Sequence, residues 1–174
     1  MQDEIIIKEV KNGNKEQFGL LVEKYQNSLF TFIFYSVKDE GAAKDILQET
    51  FIKALKEIDK YKEEGKFKAW LWTIARNKVM DFYRKANKIV PLEEETIKQD
   101  DETSKKAFST IEFSHIENII EDLPPEQKEV VLMRQYLSFK EIADILDCPL
   151  GTVLARLNRA IKKIQKSLGE EYAA

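Results

Sequence analysis

Apolar residues recur at every third or fourth position along most of this chain, a spacing that turns one face of a helix toward a core. Over residues 14–36 the set is Phe18, Leu21, Val22, Tyr25, Leu29, Phe32 and Ile33, and Asn14 followed by Gln17 has the form of a capping box. Asp39 can cap a second helix carrying Ala43, Ile46, Leu47, Phe51, Ala54, Leu55 and Ile58. A polar stretch from Asp59 to Lys66, with Gly65 inside it, reads as a loop. A third helix then follows, with Phe67, Trp70, Leu71, Ile74, Ala75, Val79 and Phe82 on its buried side. With a short helix over 3–11, these make one domain ending near Lys88.

Periodicity is lost over 89–112, where Pro91 opens a run rich in charge, Thr and Ser that reads as a linker. It resumes at Ile116, Ile119, Ile120 and Leu123 and breaks at Pro124-Pro125. A helix over about 126–136 carries Val130, Val131 and Met133. Ser138 and Glu141 form a capping box for a short helix with Ile142, Ala143, Ile145 and Leu146, and Asp147-Cys148-Pro149 interrupts it. A last helix over 150–168 buries Val153, Leu157, Ala160, Ile161, Ile164 and Leu168. The expected fold is all-α: two small helical domains, 1–88 and 113–174, joined by an acidic linker over 89–112.

Composition narrows the function. With 6 Gly and 4 Pro in 174 residues, the chain has too few turn formers for an all-β fold. A single cysteine, Cys148, excludes an intramolecular disulfide and a multi-cysteine zinc site, and a single histidine, His115, leaves no two-histidine metal site. No cofactor and no metal are expected. No stretch approaches the roughly 18 apolar residues of a membrane span, and the opening MQDEIIIKEVK does not read as a signal peptide. A cytoplasmic location is the expectation. Catalysis is not expected: carboxylates sit in mixed charge runs, there is no Gly-rich phosphate loop, and no Ser or Cys has an evident base.

The net charge of −3 conceals an uneven distribution. Lys66, Lys68, Arg76, Lys78, Arg84, Lys85 and Lys88 meet only Asp81, and Arg156, Arg159, Lys162, Lys163 and Lys166 meet no acidic residue within 150–168. Over 93–102, between these segments, Glu93, Glu94, Glu95, Asp100, Asp101 and Glu102 oppose only Lys98. Charge runs of this kind are compatible with solvated helix faces as well as with binding surfaces.

The stretch Ser138–Ala160 has the layout of a helix-turn-helix, with Thr152, Ala155, Arg156 and Arg159 on one face of the second helix. Small residues let such a helix approach base edges, and arginine can bond guanine or phosphate in bidentate fashion. An ordinary helical hairpin with a solvated basic face has the same pattern. In the first domain, aromatics interleave with cations over 66–88, a combination suited to unstacked bases and phosphate. Trp70 and Phe82 read as core, whereas Trp72 and Tyr83 lie off the apolar stripe and read as free to meet a partner. In Asp45–Phe51, Ile46, Leu47 and Phe51 point inward and Asp45, Gln48 and Glu49 outward, as a docking face or merely a soluble one.

Taken in order, Phe18–Tyr25, Asp45–Phe51, Trp70–Asn77, Leu123-Pro124-Pro125, Glu141-Ile142-Ala143 and Cys148–Val153 resemble the extracytoplasmic-function group of bacterial RNA polymerase sigma factors. The resemblance implies a region-two domain over 1–88 and a region-four helix-turn-helix domain over 113–174. It implies that Asp45, Gln48 and Glu49 dock on the β′ clamp helices of core RNA polymerase, and that the β flap is a further contact. It implies minus-ten promoter contacts from the loop Tyr61–Lys66 and from Arg76, Asn77, Arg84 and Lys85, with a flipped base captured as the duplex melts. It implies minus-thirty-five contacts from Thr152, Ala155, Arg156, Arg159 and Lys163. The acidic linker would thread the polymerase's nucleic-acid channel, and an anti-sigma factor, membrane-anchored in some cases, would be the inhibitor. Two features depart from the usual pattern: Leu154-Ala155 where a basic residue and Ser are frequent, and Glu63 with Glu64 in the base-capturing loop. The competing readings are a dimeric helix-turn-helix repressor or response-regulator output domain, and a helical enzyme or scaffold.

Overall fold

A computed structural model describes residues 2–62, 65–89 and 114–173. Among these, the elements are helices: α1 (Gln2–Lys11), α2 (Phe18–Val37), α3 (Glu40–Glu57), α4 (Phe67–Ile89), α5 (Ser114–Glu121), α6 (Pro125–Arg134), α7 (Phe139–Leu146) and α8 (Leu150–Ala173), with short 3₁₀ turns at Lys15–Gln17 and Ile58–Lys60. The chain divides into two compact units, one centred on α1–α4 and the other on α5–α8. The expected acidic linker, Glu63 and Glu64 lie outside the described residues.

In the first unit α2, α3 and α4 pack on one another, and α1 lies against α2. Small residues let the three long helices approach: Ala43 and Ala54 of α3 and Ala75 of α4 are fully buried. Aromatic rings fill the space between α2 and α4. Phe32 meets Trp72 with centroids 5.2 Å apart, and Tyr25 meets Phe67 at 6.1 Å. Phe18 and Phe51 make an edge contact at 6.4 Å between α2 and α3. Among the described residues Thr50 is the one buried polar side chain of this kind, and its hydroxyl is satisfied by donating to the Ile46 carbonyl at 2.7 Å.

Several expectations meet corrections here. Asn14 makes no side-chain cap; the chain instead forms a 3₁₀ turn at Lys15–Gln17 and α2 begins at Phe18. The tryptophans exchange roles: Trp72 is fully buried, whereas Trp70 is only partly covered. A single apolar stripe underestimates the buried arc of a helix that contacts two neighbours, and α4 is covered by α2 on the Trp72 side and by α3 as well. Val22, Leu47, Leu55 and Phe82 are half-buried for the same geometric reason, lying at the edges of their stripes. The Asp39 cap is present, its carboxylate accepting the Ala42 N–H at 2.9 Å. It follows Lys38, which ends α2 in the left-handed conformation (φ 58°) with its N–H on the Phe34 carbonyl at 2.8 Å.

The second unit is built on α6 and α8, with α5 against α8. Val130, Leu132 and Met133 of α6, Ile142 and Ile145 of α7, and Val153 and Ala160 of α8 form the core with Leu123 and Leu137. Pro125 occupies the first turn of α6, where its missing N–H costs nothing. The capping box of α7 is complete: Ser138 Oγ accepts the Glu141 N–H at 3.2 Å and Glu141 accepts the Ser138 N–H at 2.7 Å. Ile161, expected in the core, is 40% exposed, and Leu157, Ile164 and Leu168 are half-buried. This unit is too thin to cover the whole apolar stripe of a 24-residue helix.

Removing these features has distinct costs. Trp72→Ala is expected to destabilise the first unit by about 3–5 kcal/mol, and Ser138→Ala the second by about 1 kcal/mol. Guanidinium unfolding followed by circular dichroism checks both, and a Trp72→Ala midpoint equal to wild type would contradict the buried placement.

Candidate functional site

Three outward faces carry the residues singled out by the sequence. On α3, Asp45, Gln48 and Glu49 are all exposed and share one side of the helix. The inward residues beside them, Ile46 and Thr50, fix this orientation, because their burial turns positions 45, 48 and 49 to solvent. Glu49 pairs with Lys78 of α4 at 3.4 Å, so the acidic face of α3 adjoins the basic face of α4. At 59% exposure of the Glu49 side chain this pair contributes little stability and is open to exchange for another cation.

On α4, Asn77 and Arg84 stand two turns apart on one exposed ridge, with Arg76 and Lys85 to either side. Arg76 is half-buried; Asn77, Arg84 and Lys85 are exposed. Arg84 is steadied by Asp81, one turn earlier, at 3.2 Å. Tyr83, expected to be free, is 43% exposed, but its hydroxyl donates to the Ser36 carbonyl of α2, and burial raises its pKa above the ordinary tyrosine value. The bond ties α4 to α2.

The expectation for Tyr61 is corrected. Its ring is 4% exposed, packed 5.6 Å from Phe67 and 5.4 Å from Trp70, so it is core and not a surface for bases. An aromatic at the end of a polar loop carries no periodic signal, since the partners that bury it come from α1 and α4. Lys66 at the same loop is exposed and immediately precedes α4, its carbonyl accepting the Trp70 N–H at 3.0 Å.

In the second unit α7, the turn and α8 form the expected helix-turn-helix. Asp147 ends α7 in the left-handed conformation (φ 50°), which a short polar side chain tolerates. The Cys148 N–H returns to the Ala143 carbonyl at 3.2 Å, and the Thr152 N–H bonds the Pro149 carbonyl at 3.0 Å as α8 starts. Thr152, Ala155, Arg156, Arg159 and Lys163 fall on one ridge of α8, beside the buried seam of Val153 and Ala160. Arg159 and Lys163 are exposed, and Thr152, Ala155 and Arg156 are half-buried. The Arg156 Nε lies 3.8 Å from Glu126 at the start of α6, a partner that sequence spacing could not reveal. Leu150, Leu154 and Ile161 make an exposed apolar line on another side of α8.

Among the described residues, no helix is long and apolar enough to cross a membrane, and no group of three or more His, Cys, Asp or Glu is placed to hold a metal ion.

The Sigma-70 region 2 family model matches residues 21–89 and the Sigma-70, region 4 model residues 115–164. An ECF RNA polymerase sigma-E factor of Haemophilus influenzae is 31% identical over 97% of this chain and 96% of its own length. An RNA polymerase sigma-H factor of Pseudomonas aeruginosa is 30% identical over 96% and 94%. Among solved structures, CnrH in complex with the cytosolic domain of CnrY superposes with a TM-score of 0.76 at 23% identity, covering 98% of this chain and 99% of that one. At that identity the likeness carries the fold alone. Two region matches in chain order, over a helical fold whose second unit is a capped helix-turn-helix, and full-length relatives at this identity make one conclusion: the chain belongs to the extracytoplasmic-function sigma factors, which direct promoter-specific transcription initiation by bacterial RNA polymerase.

Proposed function

We propose that the chain works as a non-catalytic, cytoplasmic subunit in which Asp45, Gln48 and Glu49 of α3 dock on the β′ clamp helices of core polymerase. In this reading residues 1–88 recognise the minus-ten element through Lys66, Arg76, Asn77, Arg84 and Lys85. Residues 113–174 read the minus-thirty-five element through Thr152, Ala155, Arg156, Arg159 and Lys163, and residues 89–112 connect them. The observation that carries the reading is that each matched region turns a charged face outward from a closed core: acidic and polar on α3, basic on α4 and α8. The exposed Leu150, Leu154 and Ile161 offer the β flap an apolar surface that DNA would not need.

Among solved structures of similar fold, CnrH is in complex with the cytosolic domain of CnrY, and the Bartonella quintana sigma factor RpoE is in complex with the anti-sigma factor NepR. An anti-sigma factor is accordingly proposed as a partner here. Alone, the chain is expected to bind promoter DNA weakly, because its overall charge is unfavourable and each unit offers few phosphate contacts. Adding it to core polymerase should yield specific run-off transcripts; absence of any core binding overturns the reading.

Variants separate the three faces. Arg156→Ala and Arg159→Ala are expected to lower minus-thirty-five-dependent transcription, each by about 1–3 kcal/mol where the arginine reads a base; run-off assays on templates with and without that element check this. Glu49→Lys should weaken core binding in a fluorescence titration while the thermal midpoint stays close to wild type, since an exposed pair with Lys78 is worth at most about 1 kcal/mol. Asn77→Ala should slow open-complex formation, followed by permanganate reactivity, more than it weakens core binding; equal losses would indicate misfolding instead.

A further inference from the structure

The cationic ridge of α4 has an apolar centre. On a helix the surface neighbours of a residue lie three and four positions away, and for Met80 these are Arg76, Asn77, Tyr83 and Arg84. Met80 is 37% exposed and Tyr83 43%, so two large apolar side chains one turn apart stand open among an amide and two guanidinium groups. The core of the same helix, with Trp72, Ala75 and Val79 buried, takes another side. Single apolar residues scattered over a surface are ordinary. A neighbouring pair in the middle of a basic ridge is a different arrangement.

Tyr83 is also held in place. Its hydroxyl donates to the Ser36 carbonyl, and Phe82 meets its ring edge-on with centroids 5.7 Å apart. The far end of the side chain is thereby fixed while much of the ring stays open. A ring already fixed gives up little freedom when something lies on it, so less of the contact energy is lost to ordering. Met80 complements the ring, because its unbranched chain and polarisable thioether can follow the outline of a flat group. Phosphates call for cations and gain nothing from an apolar centre. An unstacked base has a π face to cover, and an aromatic side chain among cations covers it while the cations take the backbone. A base inside a duplex is covered by its own neighbours.

We propose that Met80 and Tyr83 form a platform on α4 that takes the face of one unstacked base of the minus-ten element, with Arg76 and Arg84 beside it for the adjoining phosphates. The proposal rests on the minus-ten reading of α4 given above and adds a base contact to it. The pair acts through stacking and not through charge, which separates its effects from those of the arginines.

The test uses the chain bound to core polymerase. The probes are single-stranded non-template oligonucleotides spanning the minus-ten region of a promoter mapped by transcript-end sequencing, intact or with one abasic site at each position in turn. At the position of the stacked base, wild type is expected to lose roughly tenfold in affinity when the base is missing. Met80→Ala and Tyr83→Leu should each bind the intact strand several-fold more weakly than wild type, yet bind the strand lacking that base as wild type does. Tyr83→Phe keeps the ring and should retain most of the preference. The salt dependence of strand binding should be unchanged in Met80→Ala and Tyr83→Leu, whereas Arg84→Ala should reduce its slope by about one unit as a phosphate contact is lost. Met80 is exposed, so Met80→Ala carries the test should Tyr83→Leu not fold. A loss of equal size on every strand, or no loss in either variant while Arg84→Ala still weakens binding, overturns the proposal alone. A fall in core affinity in Met80→Ala with the base preference intact also overturns it and makes the patch a protein contact. Should Arg84→Ala and Asn77→Ala leave strand affinity at the wild-type value as well, the minus-ten reading of α4 fails and the proposal with it.

Discussion

The packing of Phe32 on Trp72 and of Tyr25 and Tyr61 on Phe67 anchors α4, and what the first unit offers a partner is arranged around that helix. A helix of 23 residues with a core on one side and cations on the other is useful only if it cannot roll. Interlocked rings prevent rolling, because turning the cationic ridge would expose Trp72 and Phe67, two of the largest fully buried side chains. The Tyr83 hydroxyl on the Ser36 carbonyl adds a second restraint four turns further along α4 from Phe67. The ridge of Asn77 and Arg84 is thereby held relative to the acidic face of α3, with the pair of Glu49 and Lys78 between them.

A net charge of −3 is a poor guide to such a molecule, since fields act locally. Beyond about 10 Å at ordinary salt, exposed charges scarcely influence each other, so basic faces on α4 and α8 can serve nucleic acid while acidic residues elsewhere serve protein. On the function proposed above, a weak affinity for free DNA is expected from this balance and suits a specificity subunit. It keeps recognition dependent on the catalytic enzyme that carries it.

In the second unit preorganisation takes another form. Arg156 Nε lies 3.8 Å from Glu126, the Ser138–Glu141 box fixes the start of α7, and Asp147 in the left-handed conformation ends α7 shortly before α8 begins. Each device is cheap: two capping bonds, one strained residue and one exposed pair. Together they present Thr152, Ala155, Arg156, Arg159 and Lys163 as a single ridge.

The sequence by itself determined the helical character, the order of the helices, the Asp39 and Ser138 caps and the outward faces of Asp45, Gln48 and Glu49. These follow from spacing along one helix, where neighbours three and four positions apart must share a side. Tertiary structure alone decided which tryptophan is core, that Tyr61 is buried, that Ile161 is left uncovered, and that the Tyr83 hydroxyl reaches Ser36. Each of those depends on a partner tens of residues away, or on how many neighbours a helix has, and periodicity within a single element carries no record of either.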